Sequence, residues 1–352
     1  MKIFFITSIT VAVIVFFTFF IAKDFMGNNK MDYDDEQVGL KDQIVIRFSH
    51  VVAENTPKGL AAQKFAELAN EKTDGRVTVE VRPNGALYSD DEEMEALARN
   101  DVQMIAPSFS KMTKKSPEWA LFDLPFLFKD YNDVNHVFTG VIGAEFLALH
   151  EQAGIKGLAL WSNGFKQMTS NQKPLIKPED FKGQRFRIMP SGIIEEQFKL
   201  LNAESIVVPF NEVYKSLEEN KFDGQENTIS NIYSKRLYER QDYMTVSNHG
   251  FLGYTVLMNK DFWNKLPSDV QTDLEDAMNE TTQWILKESE QLNQGQLNEI
   301  KEKSTIKIHY LSDQEKVEWS KKLQPAYETY KSWVSPKFNK HLTNLLKESE
   351  AE

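Results

Sequence analysis

The chain has 352 residues, of which 41% are hydrophobic and 12% aromatic. This length and composition predict about two domains with a substantial core and exclude a largely disordered chain. Acidic residues outnumber basic ones by 52 to 41, for a net charge of −11, which argues against nucleic acid as a partner because phosphate binding requires a basic surface. The absence of cysteine excludes disulfides, thiolate metal ligands, thiol nucleophiles and cysteine lipidation.

The N-terminal segment 1–22 predicts membrane targeting. Residues 3–22 carry no charge and follow Lys2, and an apolar run of about 20 residues spans the hydrocarbon core of a bilayer. A cleavable signal peptide has a shorter apolar core, of about 7–15 residues, and a small-x-small cleavage site. No such site follows this run, so we expect an uncleaved signal anchor, with a cleaved signal peptide as the alternative. In either case the rest of the chain is expected outside the cytoplasmic membrane.

Beyond an acidic segment, 23–42, that predicts a solvated linker, strand and helix patterns alternate. Residues 44–48 predict a strand, and Thr56-Pro57 predicts the start of a helix that ends at Gly75. Further strands are predicted at 77–81, 102–107, 155–162 and 185–189, further helices at 90–99, 132–151 and 193–201, and mostly helix beyond Pro267. This alternation predicts an α/β fold with a largely parallel sheet.

Motifs typical of enzymes are absent. The sequence contains no G-x-S-x-G nucleophile elbow, no phosphate-binding P-loop and no G-x-G-x-x-G dinucleotide-binding turn. None of the six histidines pairs with another at a spacing typical of metal ligands. The acid pairs Asp90-Asp91 and Glu195-Glu196 are expected on solvated helical faces. We therefore expect a protein that is not an enzyme and has no metal site and no cofactor.

Two arginines on one short predicted strand indicate an anion site. Arg185 and Arg187 share a face of this strand by period-two alternation. A buried guanidinium without an anionic partner is costly, and its planar fork binds a carboxylate through two parallel hydrogen bonds. The alternative is an edge strand whose arginines are solvated.

A second polar cluster lies at 223–228, directly after a helix predicted around Val213 and Leu217. It predicts either an ordinary turn or a loop that presents an amide to a ligand. The residues alone leave both alternatives open.

Several ordered motifs resemble the DctP-type solute-binding proteins of TRAP transporters. The motifs are, in chain order, Phe48-Ser49-His50-Val51-Val52-Ala53-Glu54-Asn55-Thr56-Pro57-Lys58-Gly59, Pro83-Asn84-Gly85, Asp123-Leu124-Pro125-Phe126, Trp161-Ser162-Asn163-Gly164-Phe165-Lys166, Arg187, Pro209-Phe210-Asn211-Glu212-Val213-Tyr214 and Asp223-Gly224-Gln225-Glu226-Asn227. The resemblance covers nearly the whole chain beyond residue 42. Within the family, the chain resembles the binders of C4-dicarboxylates, namely malate, succinate and fumarate.

The resemblance implies a two-lobed α/β fold of the periplasmic-binding-protein type, with a hinged cleft and long C-terminal helices. Each lobe is expected to be discontinuous in sequence. Lobe I is expected to comprise residues 43–164 plus about 253–292, and lobe II residues 165–252 plus about 293–346.

The resemblance also implies roles for individual residues. Arg187 is expected to clamp a ligand carboxylate, Asn227 to supply the binding-site amide and Phe210 to wall the cleft. Lys166 stands where many relatives carry a second arginine, and this departure leaves the partner of the second carboxylate open. Other candidates for that carboxylate are Lys58, Lys111 and His50, and Ser108 and Ser110 are candidates for hydroxyl contacts.

The function implied is that of an extracytoplasmic binding protein, a monomer, that presents C4-dicarboxylates to membrane transporter subunits. One alternative is a ligand-loaded co-sensor for the ectodomain of a sensor kinase or for a non-TRAP carrier. Others are a binder of a monocarboxylate or sugar acid, and an enzyme that acts on a carboxylate substrate.

Overall fold

The computed structural model describes residues 43–351. The segments 1–22 and 23–42, for which the sequence predicts a signal anchor and a linker, lie outside the described residues. Residues 43–351 contain no helix that is long and apolar enough to cross a membrane.

Strands and helices alternate through most of the described chain, and helices dominate its C-terminal part. The strands are β1 (Ile44–Ser49), β2 (Val77–Arg82), β3 (Met104–Ile105), β4 (Ile155–Ser170), β5 (Arg185–Ile188), β6 (Glu204–Val207), β7 (Gly224–Thr228), β8 (Tyr243–Asn259) and β9 (Lys307–Tyr310). The α-helices are α1 (Pro57–Lys72), α2 (Glu93–Ala98), α3 (Phe109–Met112), α4 (Tyr131–Thr139), α5 (Val141–Ala148), α6 (Gly192–Leu200), α7 (Val213–Glu218), α8 (Ile229–Ser234), α9 (Lys260–Lys265), α10 (Ser268–Lys303), α11 (Asp313–Leu323), α12 (Pro325–Trp333) and α13 (Pro336–Ala351).

The strands form one mixed sheet in the order β2-β1-β3-β8-β4-β7-β5-β6, with β9 beside β8. The pairings β1–β2, β1–β3, β5–β6, β5–β7 and β8–β9 are parallel. The central pairings β3–β8, β4–β8 and β4–β7 are antiparallel. The expectation of a largely parallel sheet is therefore wrong for the centre, because the chain crosses from one half of the sheet to the other and back through β4 and β8.

The two central strands are longer than the sequence pattern predicts. Strand β4 was expected to end at residue 162, but it continues to Ser170 and pairs with β8 along almost its whole length. The pairing shifts register between Ser162 and Gly164. Gly164 has φ +142°, and a Cβ atom there would lie 2.7 Å from Nδ2 of Asn293 on α10, so a larger residue would be strained and would disturb the hydrogen bond of that amide to the carbonyl of Asn163.

Local signals place the start of α1 and both ends of α6 within one residue, whereas other expected helices differ. The Thr56 side chain caps α1 by accepting a hydrogen bond from the backbone N–H of Gly59 at 3.2 Å. The single helix expected at 132–151 is two helices, α4 and α5, because Gly140 between them has an extended backbone. The helix expected at 90–99 is shorter, and its first residue is Glu93.

Two hydrophobic clusters cover the sheet. One contains Phe48, Trp161 and Phe186, and the other contains Phe122 and Phe146. Helix α10, which is 36 residues long, braces the centre of the sheet by accepting a 3.1 Å hydrogen bond from the Trp161 indole at Thr282. The last helix, α13, packs on the second cluster, where the rings of Phe146 and Phe338 lie 5.2 Å apart. The expected long C-terminal helices are thus present.

Candidate ligand-binding site

A cleft with an empty volume of about 440 Å³, counting the part open to solvent, is lined by two distant parts of the sequence. The first part contributes Val51, Val52, Lys58, Asp90, Glu93, Pro107, Ser108 and Lys111, and the second contributes Arg187, Met189, Phe210, Asn227, Asn231, Leu252 and Tyr254. Six of the residues expected in the site therefore meet in one cleft, and Lys166 and His50 are not among the lining residues.

Arg187 is a buried cation that has no acidic partner in the described part of the chain. Its side chain is 2% exposed, and its Nε donates a hydrogen bond of 2.9 Å to the carbonyl of Val208. Within residues 43–351, it forms no ion pair. Burial lowers the pKa of Arg187 to about 10, although Asp90 and Glu226 oppose this shift. The guanidinium therefore remains charged at neutral pH and can receive a carboxylate through its terminal nitrogens.

Arg185, two residues earlier on β5, has a different environment. Its guanidinium forms an ion pair with Asp223 at 3.1 Å and is 39% exposed. It does not line the cleft. Of the two arginines that the strand pattern singled out, only Arg187 faces the cleft.

Residues Gly224–Thr228 of the cluster at 223–228 form a buried strand, β7, and not the turn or loop that the sequence predicts, although the strand still presents an amide to the cleft. A Cβ atom at Gly224 would lie 2.3 Å from the carbonyl oxygen of Thr169, so glycine allows β7 to enter the sheet. Asn227 lines the cleft from this strand. Its Oδ1 accepts hydrogen bonds from Nδ2 of Asn231 at 2.8 Å and from the N–H of Thr228 at 3.2 Å. These contacts leave the Nδ2 group of Asn227 as a donor for a ligand.

Lys58 is a second buried cation in the lining of the cleft, contributed by a distant part of the sequence. It is fully buried, and its Nζ donates to the carbonyl of Ala106 at 2.9 Å and lies 3.8 Å from the ring centroid of Tyr254. It has no ion pair within the described residues. Burial lowers the pKa of Lys58 to about 8, against the opposing charges of Glu93 and Asp90.

Lys111 also lines the cleft, but carboxylates already balance its charge. Its Nζ lies 3.1 Å from Oδ2 of Asp90 and 2.7 Å from Oδ1 of Asp91. Ser108 lines the cleft at the residue before α3. Ser110 instead donates a 2.7 Å hydrogen bond to Asp123 and does not line the cleft.

Lys166 belongs to a separate buried network, hereafter the Lys166 network, formed with Glu226 and His249. Nζ of Lys166 lies 2.8 Å from Oε1 of Glu226, and Oε2 of Glu226 lies 2.9 Å from Nε2 of His249. Burial opposes ionisation of Glu226, but Lys166 and the His249 hydrogen bond together lower the pKa of its carboxyl. Successive strand residues face opposite sides of a sheet, so Glu226 turns away from the cleft that Asn227 faces.

His50 is buried beside the cleft, next to the ring of Phe48 at a centroid distance of 6.1 Å. Burial and the nearby charge of Lys58 lower the pKa of His50 to about 3. The imidazole is therefore neutral at physiological pH and supplies no charge for a carboxylate. Phe210 is buried and forms an apolar part of the cleft wall.

The acidic residues of the cleft are not evident from the sequence. Asp90 was expected on a solvated face, yet its side chain is only 10% exposed and lines the cleft with Glu93. Nothing in the run of four acids at 90–93 distinguishes the buried members from the solvated ones, so only the packing identifies them. Residues 43–351 contain no group of three or more histidine, aspartate or glutamate side chains that could hold a metal ion.

The chain resembles characterised proteins over most of its length. A family model described as DctP, bacterial extracellular solute-binding protein, family 7, matches residues 48–332. The C4-dicarboxylate-binding protein DctB of Bacillus subtilis strain 168 is 52% identical over 326 residues, or 93% of each chain.

Solved structures show the same similarity. A TRAP periplasmic solute-binding protein from Sulfurospirillum deleyianum with bound succinate is 40% identical, with a TM-score of 0.82 over 86% of this chain and 98% of that chain. A protein of the same kind from Pseudomonas aeruginosa PAO1 with bound L-malate is 38% identical, with a TM-score of 0.79 over 82% of this chain and 100% of that chain.

Proposed function

The chain belongs to the DctP family of bacterial extracellular solute-binding proteins, and we propose that it captures C4-dicarboxylates such as succinate, malate and fumarate in the cleft described above. The observation that carries this proposal is that Arg187 and Lys58 reach one cleft from two distant parts of the chain, both buried and both without an ion pair among the described residues. A C4-dicarboxylate has two separated negative charges, so it needs two cationic contacts that one guanidinium fork cannot provide alone.

Arg187 binds one ligand carboxylate in this proposal. The terminal nitrogens of its guanidinium form two parallel hydrogen bonds, and the Nδ2 group of Asn227 donates another. The hydrogen bond from Asn231 supports this role, because it orients the Asn227 amide through its oxygen and leaves the Nδ2 group of Asn227 available to donate. Phe210 excludes water from the apolar middle of the ligand.

Lys58 binds the second carboxylate. Its Nζ has one hydrogen bond to a backbone carbonyl and two further N–H groups for a ligand. The other candidates from the sequence are less suited to bind the second carboxylate. Lys166 is paired with Glu226, Lys111 is paired with two aspartates and His50 is neutral. Three or four charge-assisted hydrogen bonds at about 1.5–3 kcal/mol each, less the costs of ordering and closure, are compatible with micromolar binding at about −8 kcal/mol.

Closure of two lobes around the ligand completes the proposed capture mechanism. We assign residues 43–164 plus about 253–292 to lobe I and residues 165–252 plus about 293–346 to lobe II. The lining of the cleft supports this division, because residues assigned to both lobes contribute to it. Helix α13 packs on the cluster of Phe146, so the end of the chain also contacts lobe I.

The ligand-loaded protein acts with membrane transporter components, as is typical of TRAP binding proteins. We propose that it does so as a monomer, without catalytic activity of its own, and that an N-terminal segment retained as a signal anchor holds it at the outer surface of the cytoplasmic membrane. Mass spectrometry of the mature protein recovered from whole cells, membrane and soluble fractions together, tests the anchor. A mature chain that starts near residue 23 would show that the segment is a cleaved signal peptide.

Calorimetric titration tests the ligand class. The purified protein is first unfolded and refolded to remove carried-over ligand, then titrated with succinate, malate, fumarate, a monocarboxylate and a sugar acid. Micromolar binding of the diacids alone is expected. If only the monocarboxylate or the sugar acid binds, the assignment of a C4-dicarboxylate is wrong. Incubation with the same compounds should leave each of them unconverted, which separates a binding protein from an enzyme that acts on a carboxylate.

A further inference from the structure

Glu93 is an unexpected group in a cleft for an anionic ligand. It is the first residue of α2, is 1% exposed and lines the cleft. Its Oε1 accepts a 3.2 Å hydrogen bond from the hydroxyl of Ser49, and its Oε2 is buried with no hydrogen-bond partner among the described residues. It has no ion pair within residues 43–351. An ionised carboxylate in this position would be poorly stabilised, so the site favours the neutral carboxyl group.

The groups around Glu93 act in both directions on its ionisation. Burial has the largest effect and raises the pKa of Glu93 to about 8; the negative charge of Asp90 adds to this, and Lys58 of α1, Ser49 of β1 and Lys111 of α3 oppose it. Helix α2 also packs against β3 and β8. Strand β3 consists of Met104 and Ile105 and contributes no titratable side chain, and β8 contributes Tyr254 to the cleft.

The charge balance of the cleft depends on whether Glu93 carries a proton. The lining contains three cations, Arg187, Lys58 and Lys111, and two acids, Asp90 and Glu93. With Glu93 neutral, two positive charges remain after the pairing of Lys111 with Asp90, and they match a dianion. With Glu93 ionised, only one remains, and it matches a monoanion. Asp91, the other partner of Lys111, is 52% exposed and is screened by water.

We propose that Glu93 retains its proton in the cleft and thereby selects dianions over monoanions, so that ligand binding at alkaline pH is coupled to the uptake of a proton. This inference rests on the proposed function, because it assumes that the ligand is a dicarboxylate. A bound dianion increases the proton affinity of Glu93 further. The affinity for the dicarboxylate is therefore highest at a pH at which Glu93 is already protonated in the free protein. As rising pH ionises Glu93, the affinity falls, because binding then requires the uptake of a proton.

Titration of the full-length protein with succinate between pH 7 and pH 9 tests this coupling, because both carboxyl groups of succinate have pKa values below 7 and are ionised over this whole range. Measurement in two buffers of different ionisation enthalpy gives the number of protons taken up on binding. Lys58 takes up protons in the same range because its pKa is also lowered by burial, so the contribution of Glu93 is isolated with a variant.

Glu93→Gln replaces the carboxyl with an amide that stays neutral at every pH. We expect the ratio of the Kd at pH 9 to the Kd at pH 7 to fall by up to about tenfold relative to the unaltered protein, since one titrating group shifts affinity by about tenfold per pH unit. Proton uptake at pH 9 should fall by up to one. Glu95→Gln is the matched control, because Glu95 lies on the same helix, is 80% exposed and forms an exposed ion pair with Arg99. It should keep the pH ratio of the unaltered protein.

A second variant tests the inference without altering Glu93. Ser49→Ala removes the hydroxyl that stabilises the ionised form of Glu93, so the loss of succinate affinity should begin at higher pH. The monoamide of succinate, a monoanion, should lose less affinity than succinate between pH 7 and pH 9 in the unaltered protein. The inference is wrong if Glu93→Gln and Glu95→Gln show the same ratio of Kd at pH 9 to Kd at pH 7 and the same proton uptake. It is also wrong if Ser49→Ala leaves the pH dependence of succinate affinity unshifted. In both cases, succinate binding at pH 7 would leave the proposed function intact. Absence of succinate binding at pH 7 would overturn both.

Discussion

The buried cations of this protein fall into two regions that differ in how their charge is balanced. In the Lys166 network, the ammonium is 2.8 Å from Glu226, whose other oxygen contacts His249. In the cleft, Arg187 and Lys58 are equally buried but form no ion pair within the described residues. In the first region the positive charge of the lysine is balanced within the free protein. In the second, unbalanced positive charge remains that an anionic ligand can neutralise. A buried lysine or arginine therefore indicates a site for an anionic ligand only when the folded protein places no carboxylate within ion-pair distance of it.

The largest expected effect is on the free energy of unfolding and follows from breaking the Lys166 network. Glu226→Ala leaves Lys166 buried without its partner, and breaking a buried pair in this way costs about 3–5 kcal/mol. Chemical denaturation of the ligand-free protein measures the loss. The control is Glu219→Ala, because Glu219 pairs with Lys221 at a site where both side chains are more than 40% exposed, and such pairs contribute about 0–1 kcal/mol. Equal losses in the two variants would show that the buried pair of the Lys166 network stabilises the fold no more than an exposed pair does.

The next effect is on affinity and concerns Arg187. Arg187→Ala should weaken dicarboxylate binding by about 2–5 kcal/mol, because one ligand carboxylate would be enclosed without its cation. Its cost to the stability of the ligand-free protein should be smaller than that of Glu226→Ala, since no carboxylate of the described chain loses a partner. Calorimetry measures the affinity, with Arg185→Ala as the control on the same strand outside the cleft. A loss below about fivefold, or about 1 kcal/mol, would contradict the role of Arg187 as the carboxylate clamp.

The smallest effect distinguishes the two buried lysines. Lys58→Met should reduce succinate affinity by about tenfold to a hundredfold, which corresponds to one charge-assisted hydrogen bond of about 1.5–3 kcal/mol, and should affect the monoamide of succinate less. The control combines Lys166→Met with Glu226→Gln, which removes both charges of the ion pair together and should change succinate affinity by less than about fivefold. If the double variant loses more affinity than Lys58→Met, Lys166 and not Lys58 is the cation for the second carboxylate.

Local signals in the sequence predicted much of the fold. The N-cap and proline at Thr56-Pro57 mark the start of α1, and the alternating valines at 77–81 fall in β2. These features depend on contacts between residues close in sequence, which a pattern of residue types records directly. The length of β4 and the central position of β7 depend on pairings with distant strands, so no local pattern could predict them.

The candidate site shows the same division. The resemblance to DctP-type proteins pointed to Arg187, Asn227 and Phe210, and all three line the cleft, whereas their binding of a ligand stays a prediction. Arg185 and Arg187 have the same residue type and the same strand face, yet only the second lies over the cleft.

By itself, the sequence of this protein determined the α/β class, the family and the chemistry available for an anion, because composition, local patterning and ordered motifs are properties of the chain. The tertiary structure decided which charged side chains are available to bind an anionic ligand. It paired Lys166 with Glu226, left Arg187 and Lys58 without an ion pair among residues 43–351 and buried Glu93 in the same cleft. The physical reason is that the electrostatic state of a side chain depends on its burial and on partners brought from distant parts of the chain.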